Sequence, residues 1–99
     1  MWLELAQTFF PRKSIMVPAS PGGHPPNTEY KVSYGDEKWG STFAEVYKVQ
    51  MVYNGVVAGR ISPSFPIGTD DYLRVHEVVM HLLNMYNNNG HAGENSHRE

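Results

Sequence analysis

Five histidines are the residues of this chain best suited to metal binding or proton transfer. Two histidines four residues apart on a helix would share one face and could bind zinc together. His76 and His81 are five residues apart, so they lack this spacing. No cysteine is present to complete a zinc site, and the other three histidines fall in segments expected to be irregular: His24, His91 and His97. We therefore predict no metal site and no cofactor.

Catalytic groupings are also missing from the sequence. No serine–histidine–aspartate set, catalytic carboxylate pair or glycine-rich phosphate loop stands in a suitable context. Gly22-Gly23 lies among prolines and does not lead into a helix. Asp70 and Asp71 are adjacent, but they open a predicted helix, whose dipole favours negative charge in its first turn. We predict that the protein is not an enzyme and that both aspartates stabilise their own helix.

The composition is that of one small globular domain. The chain has 99 residues, 40% of them hydrophobic, and a net charge of −2, so no overall basic field draws it to nucleic acid or anionic membranes. No apolar run approaches the roughly 18 residues that a membrane span needs. The start, MWLELAQTFF, has neither the basic region nor the cleavage site of a signal peptide. Because cysteines for disulfides are absent, we expect an intracellular protein of the nucleus or cytoplasm.

Two segments precede the first clear strand. In residues 1–10 the apolar residues recur at helical spacing and also alternate, so a helix is favoured and a strand is the alternative. Pro11 would end that helix. Residues 11–27 contain four further prolines and Gly22-Gly23, a density that predicts a long irregular loop. Only residues 13–17 within it could be briefly extended.

A strand and a hairpin follow this loop. Residues 29–35 alternate tyrosine and valine with polar residues, which predicts a half-buried strand. Residues 47–60 read YKVQMVYNGVVAGR, and Asn54-Gly55 at the centre is the dipeptide preferred by type I′ hairpin turns. The turn pairs Tyr53 with Val56. The face expected to meet the core carries Tyr47, Val49, Met51 and Tyr53.

The last predicted element is a helix that begins after Thr69, a natural N-cap, and ends near Gly90. Its apolar stripe consists of Tyr72, Val75, Val79, Leu82, Leu83 and Tyr86. The polar tail, residues 91–99, is expected to be disordered. The predicted class is α+β: residues 1–90 form a two-layer αβββα domain, with a three-stranded antiparallel sheet and two helices packed on one face.

The order of these elements and the residues of the hairpin together resemble the double-stranded-RNA-binding domain family. In that αβββα family, the second and third strands carry an aromatic residue, alternating apolar positions, Asn-Gly, two apolar residues and glycine. The corresponding residues here are Tyr47, Val49, Met51, Tyr53, Asn54-Gly55, Val57, Ala58 and Gly59. The run WLELAQ at residues 2–7 is similar to the family's first helix. The resemblance covers most of residues 1–87, and it implies a divergent module of an RNA-processing or RNA-silencing protein.

The resemblance implies three contact regions for duplex RNA, and the sequence departs from the family at two of them. The loop between the first two predicted strands, residues 35–40, has two acids where the family has a Gly-Pro-x-His-like tip. The final helix begins with Asp70-Asp71 where the family has phosphate-binding lysines, and these carboxylates would repel a phosphate. If duplex RNA is bound, the candidate contacts are Glu4, Gln7, Arg12, Lys13, Lys38 and Trp39.

The outer face of the hairpin is the candidate protein interface. Val52 and Val57 would point away from the helices, beside Lys48 and Gln50. A valine patch on an open sheet face is typical of an interface, although cross-strand packing would also explain it. The resemblance adds that some members with weakened RNA surfaces act as dimerisation or docking modules. We predict association with a protein partner, or as a homodimer, through this sheet face, with weak or no duplex binding.

Two alternatives stay open at this point. The first is genuine binding of duplex RNA by shape and phosphate contacts. The second, from outside the family, is a small α+β protein that holds an apolar small molecule beneath the loop of residues 11–27.

Overall fold

The computed structural model of the protein describes residues 8–90. Four strands form one antiparallel sheet in the order of the chain: β1 (Phe9–Pro18), β2 (Thr28–Trp39), β3 (Thr42–Tyr53) and β4 (Val56–Ala58). One helix, α1 (Asp71–Gly90), follows and lies across β1 and β2. Residues 8–90 therefore form an α+β unit of order ββββα.

The α+β class is confirmed, whereas the predicted three strands and two helices do not match the described part of the chain. The predicted first helix falls largely on residues 1–7, which lie outside the described residues. Phe9 and Phe10, which were included in it, belong to β1. The long loop predicted for residues 11–27 is wrong over its first half, because β1 continues to Pro18. The predicted tail, residues 91–99, also lies outside the described residues.

Strand β1 accommodates its two prolines because it lies at an edge of the sheet. Pro11 lies at a shift in the register between Pro11 and Lys13, and Pro18 is the last residue of the strand. Prolines are tolerated at such positions, where no ladder hydrogen bond is lost. Between them, Ile15 and Val17 both pack against the core. This alternation is the strand signal that the high proline content concealed.

Two tight turns set the register of the other strands. Asn54 and Gly55 have φ angles of 51° and 81°, as a type I′ turn requires. Strands β3 and β4 pair through Tyr53 and Val56, so the predicted hairpin is confirmed. Gly40, with a φ of 66°, opens the turn that joins β2 to β3, and these two strands pair over their full length.

The core lies between the sheet and α1. Its fully buried members are Val17, Tyr30, Val32, Met51, Val75 and Leu82. Tyr30 pairs with Met51 across β2 and β3, so the face of β3 that was expected to meet the core does so. Tyr72 was expected in the inward stripe of the helix but is 58% exposed. The buried residue at that end of α1 is its neighbour Asp71.

Candidate protein-association surface

Asp71, in the first turn of α1, is completely buried. The amide of Ser20 donates to both carboxylate oxygens, at 3.1 and 3.2 Å, and the Ser20 hydroxyl donates to the same group. The hydroxyl of Tyr30 and the guanidinium of Arg74 each donate at 2.7 Å. Burial raises the pKa of Asp71, but the hydrogen bonds from Ser20, Tyr30 and Arg74 outweigh it and hold the pKa at about 2.

This cluster connects the start of α1 to the sheet. Burial, followed by the hydrogen bond to Asp71, raises the pKa of Tyr30, so its hydroxyl stays protonated at neutral pH. The exposed neighbour Asp70 pairs with Arg74 at 3.0 Å, and the Asp71 amide donates to the Thr69 hydroxyl at 3.3 Å. Both aspartates therefore stabilise the helix start as predicted, and Asp71 also ties α1 to β2 and to the segment after β1.

Arg12, a candidate RNA contact, is held by acidic side chains of its own sheet. Its guanidinium donates to Asp36 at 3.2 Å and to Glu45 at 3.1 Å. It also lies 6.0 Å from the ring centroids of Tyr34 and Tyr86. A phosphate would have to compete with two carboxylates for this cation.

The other candidate RNA contacts do not form a common basic surface in residues 8–90. Glu4 and Gln7 lie outside the described residues. Lys13 and Lys38 are exposed, on β1 and near the end of β2. Trp39 is 57% exposed, and its indole N–H donates to Glu37 at 2.8 Å, so the ring does not fold back onto the core.

The predicted interface residues all face away from α1, but their exposure differs. Val52 is only 2% exposed, whereas Val57 opposite it is 39% exposed. Lys48 forms an ion pair with Glu37 and lies 5.3 Å from the ring centroid of Phe9. Gln50 is half-buried. The apolar patch expected on this face is therefore smaller than the sequence implied.

The open edge of β3 is the more accessible surface for a partner. Strand β4 pairs only with Met51–Tyr53, and no strand within residues 8–90 pairs with Thr42–Gln50 on that side. The backbone N–H of Asn54 donates to the backbone carbonyl of Asn27 at 3.0 Å. The even-numbered residues of β3 therefore direct their backbone N–H and C=O groups toward β2. Because the direction alternates along a strand, residues such as Phe43 direct theirs toward the open side.

The two long edges of this sheet differ in their protection against pairing with other strands. Prolines, charged residues and bulges are common edge-protecting features. Strand β1 has all three, in Pro11, Pro18, the shift in its register and the adjacent cations Arg12 and Lys13. The segment Thr42–Gln50 contains no proline and pairs with β2 without a shift, and its two charged residues, Glu45 and Lys48, are neutralised by ion pairs within the sheet. An edge of this kind is expected to accept another strand.

Exposed aromatic side chains border the open edge on its helix side. Phe43 is 59% exposed and Tyr47 is 41% exposed. Phe10, 40% exposed, contacts Phe43 with ring centroids 6.1 Å apart. They remain accessible because α1 lies over β1 and β2. Aromatic residues are enriched at protein interfaces, so this surface has the composition that binding would use.

The hollows of the described residues differ in size and lining. The pocket beside Arg12 has a volume of about 110 Å³, below the roughly 300 Å³ of a typical ligand site, whereas two more open hollows near residues 18–28 measure about 420 and 660 Å³. The hollow beneath residues 19–28 is lined by prolines and polar residues, with Ala19 as its other apolar member. Within residues 8–90 no cluster of three metal-ligating side chains occurs, and the helix is too polar to span a membrane.

No protein-family model matches this chain, and neither a curated protein nor a solved structure is significantly similar to it. The geometry and chemistry of the described residues are therefore the basis for assigning a function.

Proposed function

We propose that this domain is a protein-association module that pairs the open edge of β3 with an extended segment of a protein partner. The observation that carries the proposal is the segment Thr42–Gln50, which has no neighbouring strand on one side within residues 8–90. A strand added here would gain main-chain hydrogen bonds, and alternate side chains would give specificity. It would also cover Phe43 and Tyr47, which are exposed beside the edge.

The charges of the described surface support weak or no affinity for duplex RNA. Arg12 is engaged by Asp36 and Glu45. Asp70 lies at the start of α1, where the helix N-terminus would otherwise attract a phosphate. The exposed lysines, Lys13 and Lys38, neutralise fewer phosphates than tight duplex binding requires. The wider setting, an RNA-processing or RNA-silencing protein, comes from the family resemblance alone and stays a proposal.

Selection from a library of random extended peptides tests the association with β3. The full chain is immobilised at low density, and peptides with alternating apolar residues are expected to be enriched. Tyr47→Pro removes a peptide N–H directed at the open side, at an edge position where proline is compatible with the strand. We expect this variant to bind the selected peptides at least about tenfold more weakly, since one ladder hydrogen bond is lost and a carbonyl of the bound peptide is left without its donor.

Met16→Pro is the matched control for this experiment. The backbone N–H of Ala19 donates to the backbone carbonyl of Thr28, so odd-numbered residues in this part of β1 direct their N–H groups toward β2. Met16, an even-numbered residue, therefore directs its N–H away from the sheet. The control therefore places the same substitution at an equivalent position of the opposite edge. Peptides that bind Tyr47→Pro as tightly as the wild type would contradict the proposed function, and so would a selection without enrichment on a monomeric chain.

A further inference from the structure

We propose that the strand bound at this edge is β3 of a second copy of the chain, paired antiparallel about a two-fold axis at Val46. This inference rests on the proposed function and names its partner. The pairing would join two sheets into one with six long strands, in the order β1-β2-β3-β3-β2-β1. Two-fold homodimers are the commonest protein assemblies, and the open segment has features that suit self-pairing.

Side-chain direction restricts where the axis can pass. Directly opposed residues in an antiparallel pair lie on the same face of the sheet. The two β3 strands would have the same residues on each face, so opposed residues must both be odd-numbered or both be even-numbered. The midpoint between such a pair along the strand is always a residue, so the axis lies level with a residue that opposes its own copy.

Charge selects among the remaining positions. An axis at Glu45 would oppose two glutamates, and an axis at Lys48 would oppose two lysines, which destabilises a strand pair. An axis at Val46 instead opposes Glu45 to Tyr47 and Lys48 to Ala44. Like charges are not directly opposed anywhere in this register.

The length of the open segment also favours Val46. It is the central residue of Thr42–Gln50, so a two-fold pair centred there uses the whole segment, with Thr42 opposite Gln50. The chain after β4 borders only the end of this segment, where residues 59–63 and Lys48–Gln50 together line a small hollow. The first residues of the second β3 would enter beside that hollow.

The Val46 register covers side chains that one copy leaves exposed. Phe43, 59% exposed, would oppose Val49 of the second copy, and aromatic residues opposite β-branched ones stabilise a strand pair. The contact occurs twice by symmetry. The charges of this segment are already balanced inside each copy, since Glu45 pairs with Arg12 and Lys48 pairs with Glu37. Dimer formation therefore leaves no charge buried without its partner.

Disulfide trapping tests the register directly, because the natural chain contains no cysteine. Val46 would oppose its own copy in a non-hydrogen-bonded pair, where Cα atoms are about 4.5 Å apart and within disulfide range. We expect Val46→Cys to form covalent dimers under mild oxidation. Thr42→Cys and Gln50→Cys should each remain uncrosslinked alone and should form dimers when the two variants are mixed.

Sedimentation equilibrium of the full chain gives the second readout. We expect a dimer for the wild type and a monomer for Val46→Lys, which places two like charges together at the axis. Unchanged circular dichroism and urea unfolding would show that the variant is folded. A variant that fails to fold leaves the cysteine experiment as the deciding one.

Two results would overturn the proposal: a monomeric wild type, or a dimer in which neither Val46→Cys nor the mixed variants crosslink. Either result excludes the dimer, but the proposed function stands if selected peptides bind the edge of β3 in the wild type and bind Tyr47→Pro more weakly. Absence of both peptide binding and dimerisation would exclude both.

Discussion

The hydroxyl of Tyr30 donates a 2.7 Å hydrogen bond to the carboxylate of Asp71, 41 residues further along the chain. This bond joins the sheet to the first turn of α1, and Ser20 from the segment after β1 donates to the same carboxylate. A buried charge is tolerated only when its hydrogen bonds and counter-charge are in place. The position of α1 on the sheet is therefore fixed at this group.

Asp71→Asn is expected to lower the free energy of unfolding by about 3 kcal/mol, because breaking a buried ion pair typically costs about 3–5 kcal/mol. The new amide group would also bring its N–H donors against the donors of Ser20 and Tyr30. Urea unfolding followed by far-ultraviolet circular dichroism measures the change. Asp70→Asn is the control, since the Asp70 side chain is 63% exposed and its loss should cost less than about 1 kcal/mol. Equal losses in the two variants would contradict this role of Asp71.

Acid is expected to weaken the same connection. The pKa of Asp71 is held at about 2, below its usual 3.8, so the folded protein binds this proton less readily than the unfolded chain does. The stabilisation is complete above about pH 4 and is lost as the pH falls toward about 2. It amounts to about 2 kcal/mol. Unfolding midpoints measured across this range should fall less steeply for Asp71→Asn, and parallel profiles would contradict the assignment.

Gly35→Ala is expected to lower the free energy of unfolding by about 2 kcal/mol, because the backbone of β1 leaves no room for the added methyl group. A Cβ atom at Gly35 would lie 2.4 Å from the carbonyl oxygen of Phe10 and 2.7 Å from the Cα of Pro11. Both are backbone atoms, so relief requires a shift of β1. The control is Gly59→Ala, whose Cβ would meet nothing within 4 Å, with an expected change within about 0.5 kcal/mol. Thermal unfolding that does not distinguish the two variants would argue against this close approach.

Duplex RNA is expected to bind weakly and with a shallow dependence on salt. A duplex of about 20 base pairs is a sufficient probe, since a domain of the resembled family spans about 16. In a gel-shift titration at low salt, Lys38→Ala should change the apparent affinity by less than about twofold, because one exposed lysine contributes little. Tight, length-dependent binding with a steep salt slope that is lost in Lys38→Ala would instead favour genuine RNA recognition.

The hairpin of β3 and β4 could be predicted because its signals are local. The dipeptide Asn54-Gly55 requires positive φ at both positions, and the alternation before it identifies the buried face. Pairing of Tyr53 with Val56 follows from the length of the turn. These features depend on residues adjacent in sequence, so the local sequence determines them.

Strand β1 could not be predicted in the same way. Whether Pro11 and Pro18 are compatible with a strand depends on its position at a sheet edge, which the local sequence does not contain. The orientation of α1 is a similar case. Apolar spacing placed Tyr72 inward, but the hydrogen bonds of Asp71 to Ser20 and Tyr30 turn a charged residue toward the core.

The open edge of β3 was missed because it depends on how short β4 is. Gly59 follows the apolar residues Val56–Ala58, and Pro63 and Pro66 come soon after it. The sequence therefore indicates that the second strand of the hairpin is short. Strand β4 ends at Ala58, before Gly59 and Arg60 of the hairpin stretch. A three-residue strand beside a twelve-residue one leaves most of the longer strand without that neighbour.

The connectivity of the sheet has a consequence for the order in which the protein folds. Each strand pairs with its neighbour in sequence, and such local pairings close through short loops and form early. Docking of α1 is different, because Ser20 and Asp71 are 51 residues apart. We expect the sheet to assemble before the helix docks. Until Asp71 reaches Ser20, the newly formed sheet carries an uncovered apolar face, which is the stage at which the chain is most exposed to aggregation.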